Sequence, residues 1–103
     1  MKKTAIYCRL AYADNTAIEN QRKTLEQFAI EQGYNEFTVY IDNGASGSTF
    51  DRPAFQKLEK AVENGEHDTL ICRDISRISR SYLHITPWLS KIKKLGVKLI
   101  TVL

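Results

Sequence analysis

At 103 residues the chain has room for one small domain with a single core. Its composition, 43% hydrophobic and 26% charged, is that of an ordinary soluble globular protein, and no apolar run approaches the roughly 20 residues of a membrane span. The net charge of +3 is unevenly spread: residues 73–98 carry +6, with Asp74 their one acid, and the rest of the chain carries −3. A concentrated basic segment suits a phosphate-rich partner, with a solvated helix face as the plainer reading for Lys91, Lys93 and Lys94.

The basic start Met1-Lys2-Lys3 is followed by too short an apolar run for a signal peptide, so a cytosolic protein is the default. Four apolar runs, 4–8, 37–41, 69–72 and 97–103, read as strands without the alternation of a half-exposed sheet. Between the first two, Thr16-Ala17-Ile18-Glu19 reads as a capping box, and Ile18, Leu25, Phe28 and Ala29 recur at helical spacing until Gly33. A second helix begins near Asp51-Arg52-Pro53, with an acidic cap and a proline in its first turn, and ends at Gly65. After the third strand the pattern predicts a short turn through 76–80, a joint, and a helix from about Pro87 to Leu95 capped by Thr86, because an internal proline breaks a helix. Strands alternating with helices imply right-handed crossovers and an α/β domain with a mainly parallel sheet of about four strands, helices on both faces. Cys8 and Cys72 read as buried reduced thiols, and the isolated His67 and His84 give no metal-ligand spacing. The chain stops within an apolar strand, which predicts a truncated domain.

Several residues could serve a phosphate. Arg9 ends the first strand, where parallel α/β folds build sites, and Arg52 opens the second helix. Arg77 and Arg80, three apart, would share one helical face. Arginine is permanently charged, planar and bidentate toward phosphate, so a cluster can stand in for a metal in stabilising a pentacovalent transition state. Each arginine alone suits a surface; the four together, at strand ends and helix starts, suit a site. Asp42 could orient an arginine, handle a proton or cap a loop. Gln21 could donate to phosphate or face solvent. The loop after the second strand, with Gly44, Ser46 and Gly47, permits close backbone approach but could be a plain turn.

These motifs resemble the catalytic domain of serine recombinases, the resolvase and invertase family, and their wording is similar to the large serine recombinases and transposon-type integrases. The resemblance lies in Tyr7-Cys8-Arg9-Leu10-Ala11, Asn20-Gln21-Arg22, Tyr40-Ile41-Asp42 with Gly44 and Ser46-Gly47, Asp51-Arg52-Pro53, and Ser76-Arg77-Ile78-Ser79-Arg80. The run Gly96-Val97-Lys98-Leu99-Ile100-Thr101-Val102 resembles the strand before the family's long dimerisation helix, so residues 1–103 would be a catalytic domain stopping short of that helix and of a C-terminal DNA-binding region. The resemblance implies a three-layer resolvase-like fold and a nucleophilic serine at position 11, which would form a 5′-phosphoserine link to DNA and release a 3′ hydroxyl. It implies that Arg9, Arg77 and Arg80 contact the scissile phosphate, with Gln21 and Ser46 as further phosphate- or DNA-binding residues, that Arg52 and Asp42 complete the site, and that Tyr7 and Ser76 support it. No cofactor or metal is implied. DNA is the implied partner, weakly and non-specifically bound by these residues, with dimers or tetramers in the full-length protein and no membrane. The implied setting is the bacterial cytoplasm or the nucleoid of a host carrying a mobile element.

Position 11 is an alanine. A methyl group has neither lone pair nor proton to give, so the expectation is a recombinase domain that does not turn over. The intact motifs around it favour recent or engineered loss of one hydroxyl; decay or repurposing is the other explanation. An interaction module that regulates an active recombinase is the alternative function. A nucleotide-binding domain is disfavoured because neither a Gly-x-x-x-x-Gly-Lys loop nor a Gly-x-Gly-x-x-Gly turn is present.

Overall fold

The computed structural model describes residues 3–44, 52–79 and 82–102. In chain order they form β1 (Lys3–Leu10), α1 (Asn15–Glu31), β2 (Phe37–Asn43), α2 (Pro53–Glu63), β3 (His67–Cys72), a one-turn 3-10 helix (Ile75–Arg77), α3 (Tyr82–Lys94) and β4 (Lys98–Thr101). The four strands make one sheet in the order β2-β1-β3-β4, every pair parallel. This is the α/β architecture expected from the sequence.

The period of two along β1 divides the core into two layers. Ala5 and Tyr7 pack with Phe55, Leu58 and Val62 of α2 and with Ile85, Trp88 and Ile92 of α3. Ile6 and Cys8 pack on the opposite face with Ile18, Leu25 and Ala29 of α1. Each large apolar side chain so buried contributes roughly 1.5–3 kcal/mol, and both faces of the central strands are covered. Cys8 and Cys72 are buried free thiols, as read from sequence.

The strand order also fixes where a site can form. From β1 the chain crosses through α1 on one face to reach β2; from β3 it crosses through α3 on the other face to reach β4. The connections therefore leave β1 and β3 in opposite directions, and a crevice opens beyond the carboxyl ends of these two neighbours. Residue 11 leaves β1 at this point, and the Ile75–Arg77 turn leaves β3.

Three boundary expectations need correction. Asp14, not Thr16, caps α1: its carboxylate accepts from the Ala17 amide at 2.9 Å, while Glu19 pairs with Arg22 instead of closing a capping box. The N-cap of α2 is Arg52, whose side chain makes no capping bond; Asp51 lies outside the described residues. Pro87 lies inside α3, which begins five residues earlier at Tyr82, so Thr86 is no cap. The proline removes only a bond to Leu83, in the helix's first turn, where the Leu83 side chain is 85% exposed and water can reach the backbone. His67 takes a structural place in the core. It is buried, with Nδ1 2.9 Å from the Lys3 carbonyl and Nε2 2.7 Å from the Tyr40 hydroxyl, so the carbonyl selects the Nδ1–H form and Tyr40 donates to Nε2.

Candidate active site

At the crevice two arginines are withdrawn from solvent. Arg9 follows Tyr7 by two residues and so shares its face of β1; only 1% of it is exposed. Its Nε donates to the Arg77 carbonyl at 3.0 Å and its Nη2 to the Ser76 carbonyl at 2.8 Å. Arg52, fully buried, donates from Nη1 to the Arg77 carbonyl at 2.8 Å and to the Tyr7 hydroxyl at 3.2 Å, and from Nη2 to the Ile78 carbonyl. Its guanidinium lies 4.3 Å from the centre of the Phe55 ring. The rigid forks of the two guanidinium groups thus together grip three consecutive carbonyls of the turn after β3, two each with that of Arg77 shared. Both arginines hold the backbone from which Arg77 projects.

Asp42 is buried beside them. It accepts from the Tyr7 hydroxyl at 2.7 Å and from the Ala54 and Phe55 amides at 3.0 Å each. Those amides are unpaired donors of the first turn of α2, so the carboxylate caps that helix from the neighbouring strand. Burial pushes the Tyr7 phenol well above its ordinary range, and donation to Asp42 pushes it further. Tyr7 is a fixed hydrogen-bond bridge between Asp42 and Arg52.

Gln21 reaches back from α1 to β1. Its Oε1 accepts from the Arg9 amide at 3.1 Å and its Nε2 donates to the Arg9 carbonyl at 3.4 Å, as a strand neighbour's backbone would. Of the two sequence alternatives, a donor to phosphate or a side chain facing solvent, burial removes the second, and its polar atoms are directed at the Arg9 backbone.

Arg77 is the more accessible arginine, its side chain 15% exposed. Its Nη1 lies 3.3 Å from Ser76 Oγ and 3.9 Å from Asp74 Oδ1, and Ser76 Oγ donates to the same Asp74 oxygen. Burial raises the Asp74 carboxyl, but the Ser76 hydroxyl and the Arg77 charge outweigh it and hold the group below its ordinary value. Among the described residues the Arg77 Nε has no hydrogen-bond partner. Ala11 is exposed, at the bend directly after β1. Arg80 and Ser46 lie outside the described residues; the helical turn reaches only Arg77, so a face shared by Arg77 and Arg80 is not part of the described fold.

The structure therefore brings together Tyr7, Arg9, Asp42, Arg52, Ser76 and Arg77 through hydrogen bonds, with Gln21 behind Arg9. Sequence reasoning missed Asp74 and Asn43. An acid three residues before Arg77 was the available signal for the first, and an Asn-Gly pair closing a strand for the second.

A family model described as the resolvase N-terminal domain matches residues 4–103. The crystal structure of the N-terminal catalytic domain of TP901-1 integrase superposes with a TM-score of 0.88 at 29% identity, covering 98% of this chain and 78% of that one. The C-terminal catalytic domain of ISC1926 TnpA, an IS607-like serine recombinase, gives 0.89 at 27% identity, covering 98% and 67%. Among curated proteins, a putative DNA recombinase of Bacillus subtilis (strain 168) is 28% identical over 102 residues, 95% of this chain but only 20% of that protein. No described helix is long and apolar enough to cross a membrane.

Proposed function

The chain belongs to the resolvase family, through its N-terminal domain, and from that premise we propose that it is the catalytic domain of a site-specific DNA recombinase in which the nucleophile's place, position 11, is occupied by alanine. The observation that carries this reading is the state of everything around Ala11. Two residues before it, Arg9 is locked to the turn bearing Arg77, and Tyr7, Asp42 and Arg52 form one bonded unit beneath. A site this connected, lacking one hydroxyl, binds phosphate without attacking it.

In a chain with serine at 11, Oγ would attack a backbone phosphorus. A P–Oγ bond would form as the P–O3′ bond broke, leaving the 5′ phosphate on the protein and a 3′ hydroxyl that later reverses the step. The Arg77 guanidinium, on the most accessible of the three described arginines of the site, is the group that meets the non-bridging oxygens. Arg9 and Arg52 act beneath it: they fix its backbone and add positive potential from a low-dielectric interior. Arg80 and Ser46 are proposed as further phosphate contacts. The phosphoserine conserves the phosphodiester's bond energy, so the cycle draws on neither a nucleotide nor a metal.

DNA is the proposed partner, in dimers or tetramers of the complete protein. The test is to express the complete gene with Ala11→Ser and offer it DNA that flanks its own locus. An adduct that resists detergent should appear with serine and not with alanine. If the folded serine variant yields no adduct, the reading fails. An alanine protein that instead co-purifies with an active recombinase and suppresses its reaction would favour the regulatory module.

A further inference from the structure

The loop that carries residue 11 is fastened to the end of β2 on both sides. The residue before it, Leu10, accepts from the Gly44 amide at 2.9 Å. The residue that closes it, Asp14, donates its amide to Asn43 Oδ1 at 3.0 Å. Asn43 Nδ2 in turn donates to Asn15 Oδ1 at 3.1 Å, at the first residue of α1. One amide side chain, with an acceptor and a donor in fixed relation, thus serves a segment that has left the sheet and has no strand beside it. The middle of the loop rests on Gly44, whose φ is +97° and where a Cβ would stand 3.2 Å from the Ala13 Cβ. Only residues 11–14 separate β1 from α1, so these contacts leave little slack.

We propose that Asn43 is a positioning residue for position 11: it fixes the loop so that the side chain at 11 is presented from an immobile backbone toward the turn bearing Arg77. Its chemical consequence rests on the reading of position 11 given above; the fastening does not. The consequence is large because an attacking group displaced by about 1 Å loses on the order of 100-fold in rate.

The first measurement uses the chain as it stands. Asn43→Ala removes both bonds, and exchange of the Asp14 amide, followed by NMR, should accelerate about fivefold or more, the equivalent of one hydrogen bond. Asn43→Asp keeps the acceptor, and the Asn15 amide can turn to donate to it, so exchange should stay within about twofold of the parent. Asn43→Ser, too short to reach Asp14, replaces the alanine variant if that one does not fold. Unchanged Asp14 exchange in a folded Asn43→Ala or Asn43→Ser protein overturns the proposal. The second measurement adds these changes to Ala11→Ser in the complete gene product. Covalent attachment to DNA should slow about tenfold or more with Asn43→Ala and recover with Asn43→Asp, while non-covalent affinity stays within about twofold. Equal attachment rates with and without Asn43 also overturn it. Failure of Ala11→Ser alone to attach defeats the reading of position 11, and amide exchange then decides the fastening by itself.

Discussion

Arg52 donates to the carbonyl of Arg77 at 2.8 Å, so one buried arginine fixes the backbone that aims another. The two residues divide between them the tasks that a cluster of arginines suggests in sequence. Arg52 supports from inside, and Arg77 keeps accessible donors. The same division separates Arg9, spent on carbonyls, from the residue two places on, which is exposed.

This division predicts different outcomes for two arginine substitutions. Arg52→Lys leaves a single ammonium that cannot span the Tyr7 hydroxyl and the carbonyls of Arg77 and Ile78, and should cost about 3 kcal/mol in urea unfolding. Arg77→Gln should cost less than about 1 kcal/mol, since its partners lie near the surface. Equal losses for the two would contradict the assignment of roles.

Asp42→Asn tests the helix cap. The carboxylate accepts three hydrogen bonds from donors only, and the NH2 of an asparagine would face one of those donors. A loss of about 2–3 kcal/mol is expected, with Tyr7→Phe costing about 1–2 because it removes the bonds to Asp42 and from Arg52 but keeps the ring against Phe55. A neutral Asp42→Asn in thermal and urea melts would remove Asp42 from the frame.

Alkaline pH should unfold the domain. Burial pushes Cys8 and Cys72 from an ordinary 9.0 up to about 12, and the Tyr7 phenol also rises from 10.0. The folded state keeps these protons while the unfolded chain releases them, so their contribution is complete below pH 9 and declines as pH rises from 9 toward 12. Each group whose two states differ removes about 1.4 kcal/mol per pH unit in that window. Urea midpoints should match at pH 7 and 8 and fall steeply by pH 10.5, and Cys8→Ala with Cys72→Ala should flatten the fall. A midpoint as high at pH 10.5 as at pH 8 would contradict it.

These residues alone should bind duplex DNA weakly, with Kd of about 10⁻⁴–10⁻⁶ M, little sequence preference and a log–log salt slope of about −2 to −3. Fluorescence anisotropy across a salt series measures it, and Arg77→Gln should lower the slope by about one. A nanomolar, sequence-specific footprint would require a reading surface that the fold lacks among its described residues.

Much of this was legible in the chain, and the exceptions share a cause. Apolar runs located all four strands, β1 and β3 because both their faces are buried and the half-buried edge strands β2 and β4 by their β-branched and aromatic residues, and their ends moved by no more than two residues. The start of α1 was misread because Thr16 and Glu19 satisfy a local pattern, whereas Asp14 reaches the Ala17 amide and is itself tied to Asn43. Pro87 was read as a helix start because its cost was taken for an interior position, yet the bond it removes lies in the first turn. The roles of Arg9 and Arg52 were visible only as charge. What they grip lies 67 and 68 residues from Arg9 and 25 and 26 from Arg52, a juxtaposition set by strand order and not by spacing. For the same reason Gln21 and Asn43, which bond to backbone across elements, could not be assigned from type.

Two guanidinium ions lie in the interior beside one buried carboxylate, Asp42, among the described residues. Above them Arg77 keeps part of its side chain open to solvent, so positive charge is stacked from the interior to the crevice mouth. An oxyanion held there by Arg77 would bind the folded state alone, so the melting temperature should climb with phosphate or sulfate at constant ionic strength and not with chloride. On this account the domain's stability is a property shared between the polypeptide and the salt around it.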